Sequence, residues 1–310
     1  MKPKLYKSLL YSMVGAGMLS LGSCTDLSET IYNQIASEKY EFTEKDAASM
    51  FAPVYSSLRN FYWAWYGYAD LDICTDMWVI PLRIGVGWGD LYINLHEHTF
   101  HSEIGHFSGL WSNAYSGINA CNKLLADEAV QESEESVAQL RAYRALYYYL
   151  LFDLFRNIPL DTTYDHPDGW LPEQAEPQEV WDFIISELDD IKDKCGDEVE
   201  MGKINNYTVH MILAKMYLNH NAWFDDHSDD SYYRKCVDEL NVIIESNKFS
   251  LAPNYADNFK EDISSSPEII FGIPFEYLYA SGNYFANLWM NEAGLSLIHI
   301  SEPTRLLSIS

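Results

Sequence analysis

Basic residues are scarce: 20 Lys and Arg stand against 46 Asp and Glu, a net charge of −26 over 310 residues. Such a surface repels nucleic acid and anionic headgroups, so it excludes phosphate-backbone partners and suits neutral or cationic ligands. No Cys-x-x-Cys pair occurs among the five cysteines, which argues against zinc ribbons and thioredoxin-like redox motifs. Gly-x-Ser-x-Gly, phosphate-loop and dinucleotide fingerprints are also missing. No apolar run of membrane-spanning length follows the first 23 residues. Acid pairs such as Asp189-Asp190 and Asp229-Asp230 fall on polar, solvated stretches, without the apolar pocket a glycosidase acid requires. No catalytic role, cofactor or metal is assigned to any residue.

What is present begins with the leader. Lys2, Lys4 and Lys7 precede an apolar stretch from about Leu9 to Leu21, the pattern of a secretory signal peptide. It ends in Leu21-Gly22-Ser23-Cys24, the kind of site that bacterial lipoprotein signal peptidase recognises. Residues 1–23 are therefore expected to be removed, and Cys24 to become the acylated first mature residue. Two or three acyl chains anchor a protein firmly where one binds marginally. Asp26 and Glu29 follow, resembling the acidic surface-export signal of lipoproteins in the Bacteroidetes. The expected location is the outer membrane, lipid-anchored and facing the exterior.

Helical periodicity dominates the body. Apolar residues at spacings of three and four predict helices over about Glu44–Asn60, Trp111–Leu125, Glu134–Phe155, Pro177–Lys194, Tyr207–Asn219 and Ser231–Ser246. Pro159, Pro167, Asp168-Gly169, Pro172, Gly196 and Gly202 punctuate the connections. Three helix pairs can be drawn, about 44–127, 134–195 and 206–246. In the third, Leu213-Ala214-x-x-Tyr217 followed by Cys236, Leu240 and Ile243 partly matches a tetratricopeptide unit. The expected fold is mainly α, a tetratricopeptide-like helical-repeat superhelix with long irregular insertions.

Aromatic residues are abundant, with 23 Tyr, 14 Phe and 9 Trp. They serve both half-wet stacking sites and repeat cores. Phe61 to Ser108 lacks helical period, and long irregular segments in compact domains are usually functional. Within it Trp78, Arg83, Trp88 and Tyr92 are candidate ligand contacts, because aromatic faces stack on sugars and Arg bonds hydroxyls. Aromatic packing between loop and helices is the competing reading for each. Asp76, following Thr75, suits a turn or N-cap role, and only the family resemblance given below makes it a ligand candidate as well. His96-Glu97-His98 with His101 has two side chains on one strand face, which would suit a metal, yet nothing is spaced to complete the site. A polar hairpin is the favoured reading there. Of Cys74, Cys121, Cys195 and Cys236, three fall in expected helices and read as small core residues, and the sequence leaves any pairing open.

Together these blocks resemble the SusD/RagB family of outer-membrane lipoproteins. The resemblance rests on Trp111-x-x-Ala114-Tyr115-x-x-Ile118-x-x-Cys121-Asn122 and on Ala138-x-x-Arg141-x-x-Arg144-Ala145-Leu146-Tyr147-Tyr148, which runs into Leu154-Phe155-Arg156-Asn157-Ile158-Pro159-Leu160. Val180-Trp181-x-x-Ile184-x-x-Glu187-Leu188 and Pro267-Glu268-Ile269-Ile270-Phe271 extend it. Gln139 stands where the family commonly has Glu, and Asn157 where it commonly has Gly. The resemblance implies a SusD-like fold and a binding protein rather than an enzyme. It implies delivery of a neutral oligosaccharide or polysaccharide to a SusC-like TonB-dependent transporter. A peptide-binding member of the same architecture, a surface glycoside hydrolase and a purely structural scaffold are the alternatives.

Residues 24–250 are expected to form the helical-repeat domain, and 251–294 the start of a truncated ligand-binding half. Tyr284 and Trp289 in the latter are candidate glycan contacts, or else core residues. Leu295 to Arg305 reads as a translated transposase sequencing adapter, so 295–310 are left out of the fold reading.

Overall fold

The computed structural model describes residues 44–63, 67–77, 90–260 and 262–275. The chain divides into two compact units, Met1–Ala47 and Ala48–Ser310. Of the first, only the opening turn of α1 lies within the described residues. Cys24, Trp78, Arg83, Trp88, Tyr284, Trp289 and the stretch 295–310 all lie outside them.

The second unit is helical, and among the described residues it contains no strand, only one isolated bridge between Pro159 and Gln174. The order is α1 (Glu44–Phe61), a 3₁₀ segment (Tyr68–Cys74), α2 (Asp90–His96), α3 (Gly105–Leu125), α4 (Glu128–Gln131), α5 (Glu134–Phe155), α6 (Pro177–Ile191), α7 (Asn206–Phe224), α8 (Ser231–Glu245) and a 3₁₀ segment (Tyr255–Phe259). No described helix is long and apolar enough to cross a membrane.

Local chemistry sets the helix ends. Ser133 caps α5 by accepting from the Ser136 amide, with Glu134 and Glu135 in the positive first turn. Asn205 caps α7 through the Thr208 amide, and Pro177 opens α6 at a position where its missing N–H costs nothing. Each of the six predicted helices is present. The largest boundary difference is α3, which begins six residues before Trp111, and α7 continues five residues past Asn219. Trp223 donates to Asp153 at 3.3 Å and meets the Phe152 ring edge-on, so tertiary packing extends the helix.

α5 is the hub: α3 packs against one side and α6 against another, while α7 and α8 form a tight hairpin. This alters the drawn pairing at one point, because α3 packs chiefly on α5. α1 joins the core through Phe51, Val54, Leu58 and Phe61. From Ala138 to Phe152 only Arg141 escapes full burial. A helix buried nearly all round leaves its tyrosine hydroxyls no water, so each must find an internal partner. Tyr147 donates to the Val54 carbonyl at 2.6 Å, Tyr148 to that of Asp161 at 2.6 Å, and Tyr143 to that of Gly202. Burial pushes all three hydroxyls up, so they remain donors at any physiological pH.

The described parts of the long segment before α3 hold more regular structure than its composition predicts. Tyr68–Cys74 is a 3₁₀ segment and Asp90–His96 is helical. The hairpin expected at His96-Glu97-His98 is therefore corrected. His96 ends α2, and His98 turns in the left-handed region at φ 55°. Both rings face carbonyls of the 3₁₀ segment: His98 Nε2 lies 2.7 Å from Cys74 O, and His96 Nδ1 lies 3.4 Å from Ile73 O. A carbonyl only accepts, so these nitrogens carry the proton and bind no metal in this arrangement. Among the described residues no three His, Cys, Asp or Glu side chains are grouped to hold an ion.

The stretch after α8 returns to the helical unit at residues 270–272. Ile270 O accepts from Asn205, Gly272 O accepts from the Gly202 amide, and Phe271 meets the Tyr143 ring edge-on.

Two predictions follow from the packing. A Cβ built on Gly117 would lie 2.2 to 2.7 Å from the Tyr147 ring, so α3 and α5 cross where only glycine fits. Gly117→Ala should cost about 1–3 kcal/mol or more, read as a lower urea midpoint at unchanged slope. The described cysteines are all free thiols. Burial pushes Cys195 up to about 12 and Cys121 higher still, whereas Cys74 is half-exposed and less shifted. Iodoacetamide at mildly alkaline pH should alkylate Cys74 well before Cys121 or Cys195 in native protein, as mapped by mass spectrometry.

Candidate functional site

Two regions carry site-like chemistry. The first is the base of the segment that holds the sequence candidates. Asp70 is buried, and its Oδ2 accepts from His106 Nε2 at 3.0 Å and from the Tyr92 hydroxyl at 3.3 Å. Three elements meet there: the 3₁₀ segment, α2 and α3. The Tyr92 and His106 rings pack edge-on at 5.4 Å, beside a small cluster of Ile73, Leu95 and Ile104. Tyr92 is thus corrected from exposed ligand contact to interior strut, since a ring 4% exposed with a bonded hydroxyl offers no face to a ligand. Asp76 stays exposed in the turn that follows. The turn itself is organised by Thr75, which donates to Asp72 O at 2.6 Å and accepts from the Met77 amide.

The second region is a cleft of about 290 Å³ between α3 and the connection after α5. α3 presents Trp111, Tyr115, Ile118, Asn119 and Asn122 at helical spacing. Pro159, Asp161, Trp170 and Pro172 form the facing wall. Its geometry is fixed from beneath. Tyr115 donates to Pro159 O at 2.7 Å, and burial pushes this hydroxyl up so that it stays a donor. Asn122 donates to both Asp161 O and Thr163 O at 3.0 Å. Tyr148 donates to Asp161 O and accepts from the Asp161 amide. The Asp161 carboxylate is taken by His166 at 2.7 Å and by Thr163. His166 in turn lies flat on Trp170, ring centroids 3.5 Å apart, so the indole is held in a fixed orientation.

Sequence reasoning placed Trp111 and Tyr115 on a helix face and the 157–172 stretch among loop breakers, and did not join them. The signal available was Trp111, Tyr115 and Asn119 at four-residue spacing, with Trp170 in a proline-rich connection. What sequence could not show is that the connection folds back onto that face.

The buried polar node predicts its own importance. His106→Ala removes one donor from a carboxylate with almost no access to water. Leaving a buried charge short of partners costs about 3–5 kcal/mol. Hydrogen exchange should show residues 68–77 and 90–104 losing protection first, while α5 and α7 keep theirs.

No protein-family model matches the chain. A "SusD-like protein" of Bacteroides ovatus is 23% identical over 179 residues, covering 54% of this chain and 32% of the relative. "Starch-binding protein SusD" of Bacteroides thetaiotaomicron is 25% identical over 127 residues, 40% of this chain and 22% of the relative. Among solved structures, surface glycan-binding protein A of Bacteroides thetaiotaomicron, in complex with laminarihexaose, superposes with a TM-score of 0.60 at 23% identity. That match covers 76% of this chain and 50% of the other. A crystal structure described with a xylogluco-oligosaccharide gives 0.64 at 20% identity, covering 80% and 50%. The resemblance read from the sequence holds in both respects: SusD-like proteins share sequence with this chain, and the fold is theirs. The matches span about a third or less of the curated relatives and about half of the solved structures.

Proposed function

We propose that this chain, which carries the SusD-like fold, belongs to a surface lipoprotein that binds a neutral oligosaccharide or polysaccharide without cleaving it. The protein passes the glycan to a SusC-like TonB-dependent transporter. Cys24 is the acylated residue and holds it to the outer face of the outer membrane. The observation that carries the reading is the fold, shared with two structures named for glycan-bound states. Charge supports it, since a net −26 disfavours anionic ligands. The acid pairs that the sequence offered for hydrolysis are surface groups. Asp189, Asp190 and Asp229 are solvent-accessible, at 43, 53 and 56% of their side chains, and engage Lys192, Arg141 and Arg234. No pair of carboxylates there has one member desolvated to act as an acid.

Ligand contact is assigned to Asp76, Trp78, Arg83, Trp88, Tyr284 and Trp289, and Tyr92 is left out of the set because its ring is buried. The test is affinity electrophoresis of the full chain through gels containing neutral polysaccharides. Retardation by at least one, with no reducing sugar released, is the expected result. Trp78→Ala or Trp88→Ala should weaken retention about tenfold each, the loss of one stacking contact. Steady release of sugar, or retention only by peptide-bearing gels, would overturn the reading. In cells, Cys24→Ala should shift the protein from the membrane to the soluble fraction.

A further inference from the structure

We propose that the cleft between α3 and the 157–172 connection is a second sugar subsite, holding one neutral hexopyranose ring. The choice of ligand class rests on the glycan reading above, but the cleft lies on other residues.

Three features of the cleft select the ligand. The first is its lining: aromatic and proline surface from Trp111, Tyr115, Pro159, Trp170 and Pro172, apolar material that suits the C–H face of a pyranose. The second is polarity at the rim. Asn119 and the Trp170 indole N–H make no hydrogen bond within the described residues, and Trp170 remains 40% exposed. They offer donors, and Asn119 an acceptor, to ring hydroxyls. The third is charge. The one carboxylate in the wall, Asp161, is already bound by His166 and Thr163. That leaves no free ion to draw a cation, and the negative surface excludes anions. The volume, about 290 Å³, is at the small end for ligand pockets and admits one ring rather than a run of them.

The walls are also built before any ligand arrives. Asn122, Tyr115 and Tyr148 pin the connection to α3 and α5, and His166 sets the Trp170 plane. A pre-set stacking face loses little on binding.

The experiment is saturation-transfer NMR on the full chain with methyl β-D-glucopyranoside, and with glucuronate as the charged comparison. Millimolar binding of the glucoside is expected, with glucuronate weaker. Trp170→Ala and Asn119→Ala should each weaken the glucoside about tenfold, and Trp170→Phe should keep most of it. Thermal midpoints of these exposed-site variants should stay near that of the parent. Glucoside binding lost through Trp170→Ala, with polysaccharide retention absent from the parent, would uphold the cleft and sink the transport reading. No transfer at about 10 mM, or transfer unaffected by both Trp170→Ala and Asn119→Ala, would overturn the cleft.

Discussion

One buried guanidinium fixes the relation of most other parts. Arg144, on the hub helix, donates to Asn122 on α3 at 2.9 Å and to Glu187 on α6 at 2.6 Å. Arg141, one turn earlier, closes the other oxygen of the same carboxylate through Nε and Nη2. Burying charge is costly, and such a cluster is weak evidence for stability on its own. Its effect is directional: a planar fork accepts few geometries, so three helices are held at one rotation and register. The constraint also passes outward. Asn122 spends its carbonyl on Arg144 and its amide on Asp161 and Thr163, so the cleft wall is set by the same buried charge.

The second constraint is satisfaction of polar atoms in a helix that has no wet face. Gln139 shows why identity matters there. Its amide nitrogen donates to the carbonyls of Ile204 and Cys195, and its oxygen accepts from the Ile204 amide. A glutamate, common in the family at this place, would bring a second acceptor where a donor is needed unless it were protonated. Asn157, where the family commonly has Gly, is explained as simply. The positive-φ residue at the end of α5 is Arg156, at φ 60° and ψ −70°, one position earlier. Arg156 lies over the Phe152 and Trp223 rings at 4.6 and 5.0 Å, which holds it there. Asn157 itself takes an ordinary conformation.

Helix existence was legible because burial on a helix writes itself at spacings of three and four. α5 could be placed from about Glu134 to Phe155 although it is buried almost all round, since Pro159 and the breakers that follow mark where its connection begins. The helix pairing was less legible: α3 and α1 were drawn together, whereas a glycine at 117 lets α3 seat against Tyr147 instead. Short elements without period were not legible at all. The 3₁₀ segment and α2 owe their form to long-range bonds, His98 to Cys74 and Tyr92 to Asp70, which are separated by more than twenty residues. For the same reason Tyr92 looked like a ligand contact. An aromatic residue in an irregular stretch has the same sequence signature whether it faces water or props a turn.

That ambiguity bears on how function is distributed over this fold. Repeat helices bury one face against neighbours, so their free faces change without disturbing the core. The cleft uses such a face, with Trp111 and Tyr115 anchored at one edge by Phe155 and Pro159 and with Asn119 left to solvent. The Asp70 node, by contrast, sits where three elements converge and has no free face to offer. A substitution at Asn119 therefore alters a surface that the core does not feel, and one at Trp170 reaches only as far as the His166 ring stacked on it. One at His106 or Asn122 reaches several elements at once. On the proposed reading, ligand preference can drift at the first kind of position while the second kind keeps the scaffold constant, the division that binding on a rigid helical frame requires.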